Sequence, residues 1–139
     1  MKYILIFLTV LANPIACCKT IQVNIPQNSS VAVKDTTSNT RVEAATINAS
    51  VDDEVVIELK ENPTTGYSWK IEEPESDIIA TFENEYCAPA KNLIGAPGVR
   101  QLRIRAKGTG TITIIGEYRR PWENNTPPAR RFTCEIIVK

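Results

Sequence analysis

Residues 54–72 read EVVIELKENPTTGYSWKIE, which is two alternating stretches separated by a short bend. In the first stretch, Val55, Ile57 and Leu59 fall on one face of an extended chain. In the second stretch, every other residue from Tyr67 to Ile71 is apolar. An alternation with a period of two is typical of a β-strand with one buried face. We therefore expect two strands joined by a stiff bend.

The same alternation recurs on both sides of this segment. Further strands are predicted over residues 21–25, ending at Pro26, and over 78–86, 102–106, 112–118 and 132–138. The polar stretch from Gln27 to Thr40 is expected to form an irregular crossover or a short edge strand. Seven to eight short antiparallel strands in about 120 residues are typical of an immunoglobulin-like β-sandwich, with Trp69 in its core. The predicted fold class is all-β.

The N-terminus differs in character from the rest of the chain. A basic Met1-Lys2 start precedes an apolar run from Tyr3 to Ala12. The run is too short to span a bilayer and is typical of a secretory signal peptide. We expect a signal peptide over residues 1–18, cleaved after one of residues 16–18, and a single domain over 19–139. No later segment is apolar for long enough to predict a membrane span.

The charge balance and the absence of histidine exclude several classes of function. The formal net charge is zero and the chain has no histidine. A neutral chain has no general affinity for nucleic acid or for anionic membranes. Without histidine, Ser-His-Asp and Cys-His arrangements and histidine-based zinc sites are impossible. We therefore predict no enzymatic activity, no cofactor and no metal, although a hydrolase that uses carboxylates alone stays formally open.

Charged residues are unevenly distributed along the chain. Acidic residues predominate from Glu43 to Glu85, and basic residues predominate from Arg100 to Arg131. Pairing between the solvated faces of neighbouring strands explains such a distribution. Steering of a charged partner is the alternative explanation.

Two cysteines, Cys87 and Cys134, lie in the predicted domain. Export into an oxidising compartment permits a disulfide between them. Strand alternation places Cys134 inward, whereas the orientation of Cys87 is ambiguous. A disulfide and a pair of buried thiols are therefore both open.

Three connections between the predicted strands are more distinctive than the others. They span residues 62–67, 88–98 and 120–129, and we name them loop 1, loop 2 and loop 3. Only two plain turns lie between them, at residues 74–77 and 108–110. Because consecutive antiparallel strands reverse direction, every second connection lies at the same end of a sandwich. Strand counting therefore predicts that the three loops form one composite binding surface.

Each loop carries residues that restrict its shape. In loop 1, Pro63 fixes its own φ angle, two β-branched threonines follow, and Gly66 permits a sharp return. Loop 3 presents an arginine and a tryptophan separated by proline, at Arg120, Pro121 and Trp122. Arginine and tryptophan are enriched at binding hot spots, and stiff loops lose less entropy on docking. The three loops are therefore predicted to bind a partner tightly.

Three motifs follow one another along the chain: Asn62-Pro63-Thr64-Thr65-Gly66-Tyr67 in loop 1, Gly95-Ala96-Pro97-Gly98 in loop 2 and Arg120-Pro121-Trp122 in loop 3. Together they resemble the motifs of the chagasin-type inhibitors of papain-like cysteine peptidases. Pro97 departs from the family pattern, in which glycine is frequent at that position. The resemblance covers residues 54–139 well and the N-terminal quarter poorly.

The resemblance implies a reversible, non-covalent, tight-binding inhibitor that occludes the active-site cleft of a papain-like (cathepsin-like) cysteine peptidase. Loop 1 is implied to enter the cleft with Thr64 and Thr65 at its tip. Loops 2 and 3 would clasp either side, with Trp122 stacked on aromatic residues of the peptidase. The residues of the three motifs are the implied binding residues of a monomer. Such a protein is expected to be secreted or to stay in the lumen of a lysosome- or phagosome-like compartment.

A second class of function accounts for the same fold. An immunoglobulin-like adhesion or recognition module would also enter the secretory pathway and would bind a surface partner through the same loop end. This alternative gives no reason for three particular motifs in one order. An inhibition assay against papain distinguishes the two.

Overall fold

The computed structural model describes residues 20–24, 33–34, 40–89 and 94–139. Nine strands occur in these ranges: β1 (Thr20–Asn24), β2 (Val33–Lys34), β3 (Arg41–Ala49), β4 (Glu54–Glu61), β5 (Ser68–Glu72), β6 (Ile79–Cys87), β7 (Gly98–Ala106), β8 (Gly110–Arg119) and β9 (Arg130–Val138). A short 3-10 turn, Pro63–Thr65, lies between β4 and β5. The predicted signal peptide, the predicted strand end at Pro26 and most of residues 27–40 lie outside the described residues. Within those residues, no helix has the length and apolarity needed to cross a membrane.

The strands form two sheets that pack as a β-sandwich, which confirms the predicted fold class. One sheet has the order β1-β4-β7-β6, and the other has the order β2-β3-β9-β8-β5. The structure corrects the predicted number and pairing of the strands. The described residues form nine strands, and both sheets are mixed. The pairs β1–β4 and β3–β9 are parallel, whereas the other pairs are antiparallel. Parallel neighbours need a long connection between them, and both pairs have one.

Strand β3 is the element that sequence alternation does not predict. Its inward positions include the buried Glu43 and the small Ala45 and Ala49, with Ile47 as the one large apolar residue among them. A buried glutamate interrupts the apolar pattern by which a half-buried strand is recognised. Glu43 is accommodated because Arg130, at the start of β9, donates from Nη2 to its Oε1 at 2.5 Å.

The core lies between the two sheets and is built from the inward positions predicted for β4, β7, β8 and β9. Its fully buried large side chains are Ile57, Leu59, Leu102, Ile104, Ile112, Ile114, Phe132 and Ile136. Trp69 is also buried, and its ring meets Phe132 edge-on with centroids 6.4 Å apart. Burial of such side chains stabilises each by roughly 1.5–3 kcal/mol, so the sandwich is a firm support for its loops.

The strand register accounts for the uneven charge distribution. Glu54 on β4 lies opposite Arg105 on β7, and Glu83 on β6 lies opposite Arg103. Opposite charges on directly facing residues of neighbouring strands stabilise a sheet modestly. At these two positions the register agrees with the predicted cross-strand pairing of acidic with basic segments.

The two cysteines of the domain are not bonded to each other. Cys134 is buried in β9, as its alternation predicts, whereas Cys87 is exposed at the end of β6 in the other sheet. Neither of the two arrangements considered from the sequence therefore holds. Burial raises the pKa of the Cys134 thiol to about 12, with a further contribution from the charge of Glu135.

Candidate functional site

The three distinctive loops lie together at one end of the sandwich. The side-chain amide Nδ2 of Asn62 in loop 1 donates to the carbonyl oxygen of Gly95 in loop 2 at 3.3 Å. The guanidinium carbon of Arg120 in loop 3 lies 4.6 Å from the centre of the Tyr67 ring in loop 1. Loop 1 therefore touches both of the other loops, as strand counting predicts. We call this end the loop edge.

The plain turns lie at the opposite end. The amide of Asp52, between β3 and β4, donates to the carbonyl of Ala106 at the end of β7 at 2.9 Å. The amide of Lys107, just after β7, donates to the carbonyl of Ile78 at 2.7 Å. The two ends of the sandwich are therefore distinct, and only one of them carries the three motifs.

Loop 1 is held in shape by hydrogen bonds within itself. Oδ1 of Asn62 accepts from the amide of Thr64 at 3.3 Å and from its hydroxyl at 2.6 Å. The hydroxyl of Thr65 donates to the carbonyl of Asn62 at 2.7 Å, and the amide of Gly66 donates to the carbonyl of Pro63 at 2.9 Å. Both threonines are exposed, yet both hydroxyls turn back into the loop. The tip is therefore rigid before it meets any partner.

The stem of loop 1 rests on aromatic side chains. The amide of Asn62 donates to the phenol oxygen of Tyr118 at 3.2 Å. The rings of Tyr67 and Tyr118 stack with centroids 5.4 Å apart. Nε1 of Trp69 donates to the carbonyl of Lys60 at 3.0 Å. Because Tyr118 is the last residue but one of β8, the strand that leads into loop 3, the same ring supports two loops.

Gly66 joins loop 1 to loop 3 by close packing. Its φ angle is 81°, in the left-handed region that favours glycine. A Cβ placed on Gly66 would lie only 2.7 Å from Cη2 of the Trp122 ring. Trp122 is nevertheless 67% exposed, so one side of the indole touches the glycine while the rest faces solvent. The ring is thus presented at a fixed position beside the tip of loop 1.

Loop 3 is stiffened by arginine side chains. Nη2 of Arg119 donates to the carbonyls of Glu123 at 2.5 Å and Thr126 at 3.2 Å. Arg120 forms an ion pair with Glu123 at 3.1 Å, and the amide of Glu123 donates to the carbonyl of Arg120 at 3.1 Å. At the base of the loop, the hydrogen bond from Arg131 and the contact with Arg119 lower the pKa of the Glu117 carboxyl below its ordinary value. These contacts hold the loop in shape, and Pro121 and Trp122 are exposed at its tip.

The glycines of loop 2 have different surroundings. Gly95 is exposed with a φ angle of 82°, and no atom would crowd a side chain there. Gly98 is buried as the first residue of β7, where a Cβ would overlap Tyr86 and lie 2.5 Å from the carbonyl of Cys87. Ala96 is half-buried, and Pro97 is exposed. Gly98 therefore serves internal packing, and the exposed part of the motif is Gly95 with Pro97.

Ile94 belongs to the exposed apolar surface of the loop edge and was missed by the sequence reasoning. Its side chain is fully exposed, beside Gly95 in loop 2. Ile94 and Trp122 are the two most exposed large apolar side chains among the described residues, and both lie at this end. The signal that could have indicated it is an aliphatic pair directly before a glycine in a connection between strands, Leu93-Ile94-Gly95. Exposed apolar residues grouped at one place are typical of a binding surface.

Comparisons with known proteins identify relatives of this chain. The profile of the Chagasin family peptidase inhibitor I42 matches residues 48–136, which include all three loops. Amoebiasin-2 of Entamoeba histolytica is 32% identical over 96 residues, covering 68% of this chain and 78% of that protein. Chagasin of Trypanosoma cruzi is 36% identical over 96 residues, covering 66% of this chain and 87% of chagasin.

A solved structure has the same fold. The cysteine protease inhibitor EhICP2 of Entamoeba histolytica is 26% identical, with a TM-score of 0.61 over 87% of this chain and 96% of that chain. Inhibitors, not enzymes, make up these relatives, which confirms the prediction that the chain is not an enzyme. The motifs, the fold and the matched length agree, and the chain belongs to the chagasin family of peptidase inhibitors.

Proposed function

We propose that this chain is a reversible, non-covalent, tight-binding inhibitor of papain-like cysteine peptidases that plugs the active-site cleft with its loop edge. Family membership supports peptidase inhibition, and the relative EhICP2 is named a cysteine protease inhibitor. The observation that carries the proposal is the contact of loop 1 with both neighbours. Asn62 reaches Gly95 on one side, and Gly66 packs against Trp122 on the other. A central rigid tip between two flanking loops has the shape of a wedge.

Loop 1 is the part that occupies the cleft. Thr64 and Thr65 are exposed at its tip, and their hydroxyls are already bonded within the loop. The tip therefore covers the catalytic cysteine and histidine of the peptidase by shape and contact, without a reactive group. A chain with no histidine lacks the general base that most often activates a serine or cysteine nucleophile. Inhibition by occlusion is consistent with that composition.

Trp122 and Ile94 supply apolar anchors on either side of the tip. Both side chains are exposed in the free protein, so they are available to lose water on binding. A buried aromatic anchor is a frequent source of most of the affinity of an interface. Because the hydrogen bonds of loops 1 and 3 fix their shapes beforehand, little conformational entropy is lost on docking. These two properties together favour tight binding.

We also propose that the protein acts in the secretory pathway as a monomer. The apolar run at residues 3–12 supports entry into that pathway. The protein would then be released or would remain in the lumen of a lysosome- or phagosome-like compartment. Expression of the full chain in a eukaryotic cell, with detection of a shortened chain in the medium or in a membrane-enclosed fraction, tests this. Recovery of the uncut chain in the cytosol would contradict it.

An inhibition panel tests the proposed function directly. The purified domain, residues 19–139, is titrated against papain, against cathepsin-like peptidases and against a serine peptidase with fluorogenic substrates. We expect stoichiometric inhibition of papain-like peptidases and no effect on the serine peptidase. Absence of inhibition of every papain-like peptidase would contradict the proposal and would favour a recognition module that uses the same loops.

A further inference from the structure

A buried ion pair lies directly beneath loop 1 and belongs to none of the three motifs. Glu61 is the last residue of β4, adjoins Asn62, and is only 2% exposed. Its side chain meets Arg100, whose side chain is 18% exposed. Burying a carboxylate is costly unless it is paired and hydrogen-bonded. The hydrogen-bond partners of Glu61 therefore indicate the structural role of this buried carboxylate.

The carboxylate of Glu61 accepts three hydrogen bonds. Nη2 of Arg100 donates to Oε1 at 2.7 Å, and Nε of the same residue donates to Oε2 at 2.9 Å. The amide of Trp69 donates to Oε2 at 3.0 Å. Arg100 is itself oriented by the Tyr86 ring, 5.8 Å from its guanidinium carbon, and by Oδ1 of Asn84. The paired fork of arginine on carboxylate fixes the relative orientation of the two side chains.

These bonds connect the stems of two loops. Glu61 and Trp69 stand on the two sides of loop 1, so one carboxylate sets how far apart the ends of that loop are held. Arg100 follows Gly98 by two residues on β7, so it fixes the exit of loop 2 against the same carboxylate. The amide of Trp69 lies on β5, an edge strand of the other sheet. The Glu61 carboxylate therefore ties both sheets together at the loop edge, because it binds Arg100 within its own sheet and the Trp69 amide in the other.

We propose that Glu61 and Arg100 are positioning residues of the inhibitory surface. The pair holds loop 1 in register with loop 2, and neither residue needs to contact the peptidase. This inference rests on the proposed function. A buried ion pair adds little net stability compared with apolar residues of similar size. The role of the pair is therefore to fix the position of loop 1 relative to loop 2.

Rigidity of loop 1 matters because the loop occupies a cleft that cleaves peptides. Cleavage adds water across a carbonyl–nitrogen bond, and it requires the carbonyl carbon to reach the reacting geometry over the peptidase cysteine. A loop with fixed ends holds its bonds away from that geometry. If the ends of the loop are free to move, one of its peptide bonds can adopt the reacting geometry. Loss of the ion pair should therefore turn a stable inhibitor into a ligand that is slowly cut.

Two variants and one control test the proposal. Glu61→Gln keeps an oxygen that can accept from the Trp69 amide but removes the charge. Arg100→Lys keeps the charge but cannot donate two parallel bonds. Val55→Ala is the control, because Val55 is equally buried on the same strand but at the far end from the loops. It lowers stability through a cavity and leaves the loop edge untouched.

The variants are compared at a temperature well below the melting temperature of each. We expect Glu61→Gln and Arg100→Lys to weaken inhibition of papain about tenfold or more, mainly through faster dissociation. Mass spectrometry should detect cleavage within residues 62–67 during prolonged incubation. Val55→Ala should match the wild-type inhibition constant and stay uncut. If Glu61→Gln does not fold, Arg100→Lys decides the question.

Two outcomes would overturn the inference. One is an unchanged inhibition constant and an intact loop 1 in the folded variants of the pair. The other is an equal loss of inhibition in Val55→Ala, because the effect would then follow stability alone. A wild-type chain that inhibits no papain-like peptidase would instead overturn the proposed function itself, and the inference with it.

Discussion

Two constraints meet at Gly66. Its backbone adopts a φ angle of 81°, and the Trp122 ring leaves no room for a Cβ. The backbone constraint can be inferred from the sequence, because a glycine that ends a short turn after proline and two threonines is typical of a left-handed cap. The contact with Trp122 cannot, because it depends on how two loops distant in sequence pack. The need for glycine at this position was thus predictable from the backbone conformation of the turn. The packing of Gly66 against Trp122 was not.

A comparison of two glycines separates these constraints. Gly95 has a φ angle of 82° but nothing near a would-be Cβ, so Gly95→Ala isolates the cost of the left-handed backbone. We expect that variant to lose about 1 kcal/mol of unfolding free energy. Gly66→Ala should lose more, because it also displaces the indole of Trp122. Urea unfolding measures both, and equal losses would contradict the packing explanation.

The exposed indole leads to a second prediction. Trp122→Ala should weaken inhibition of papain-like peptidases by roughly 2 kcal/mol or more, because an apolar anchor is removed from the interface. Stability should change little, since the ring is 67% exposed. Ile115→Ala is the matched control, because Ile115 is also exposed but lies on β8 away from the tips of the loops. Unchanged inhibition by the tryptophan variant would reject the anchoring role.

The strands differ in how clearly the alternation of apolar residues predicts them. β4, β5, β7, β8 and β9 follow the alternation of apolar residues because one face of each lies in the core. β3 does not, because its inward face carries Glu43 and two alanines. The parallel pairings of β1 with β4 and β3 with β9 were also not predicted. Alternation reports which face is buried, but it carries no information about the direction of a neighbour.

The cysteines of β6 and β9 differ in exposure, and this difference predicts different thiol reactivities. The thiolate is the reactive form of cysteine. Burial raises the pKa of Cys134 to about 12, so its thiol is protonated near neutral pH as well as shielded. Cys87 is exposed. We expect iodoacetamide to label Cys87 in the native protein and to label Cys134 only after denaturation. Peptide mass spectrometry measures the labelling of each cysteine. Equal labelling of the two cysteines in the native protein would contradict the placement of β9.

The loop edge emerges from the whole sandwich. Strand counting predicted that loops 1, 2 and 3 converge, because direction alternates between consecutive antiparallel strands from β4 to β9. The finer contacts required the folded chain: the bond from Asn62 to Gly95, the internal role of Gly98 and the exposure of Ile94. Position along the chain fixes which end a loop occupies, whereas side-chain packing decides which of its residues face outward.

Composition and ion pairing predict the pH dependence of stability. With no histidine, the chain lacks the side chain that ordinarily titrates between pH 5 and 8. The pKa of Glu117 is lower in the folded state than its ordinary value of 4.5, mainly through the hydrogen bond from Arg131. That carboxylate therefore adds stability above about pH 4.5, and the contribution is lost as the pH falls through the folded pKa.

We accordingly expect a melting temperature that changes little between about pH 6 and pH 8 and that falls in acid. Glu117→Gln should remove part of the acid-dependent loss, because the substituted side chain does not titrate. Thermal unfolding followed by circular dichroism at a series of pH values measures both. A steep change in melting temperature between pH 6 and pH 8 would be inconsistent with the composition.

The central claim is that three loops at one end of the sandwich bind the peptidase together. Amide hydrogen exchange of the chain, measured alone and in complex with papain, tests this most directly. We predict slower exchange in loops 1, 2 and 3 on binding, and no change in the turns at residues 50–53, 74–77 and 107–109. Protection of those turns, or of one loop alone, would contradict the account.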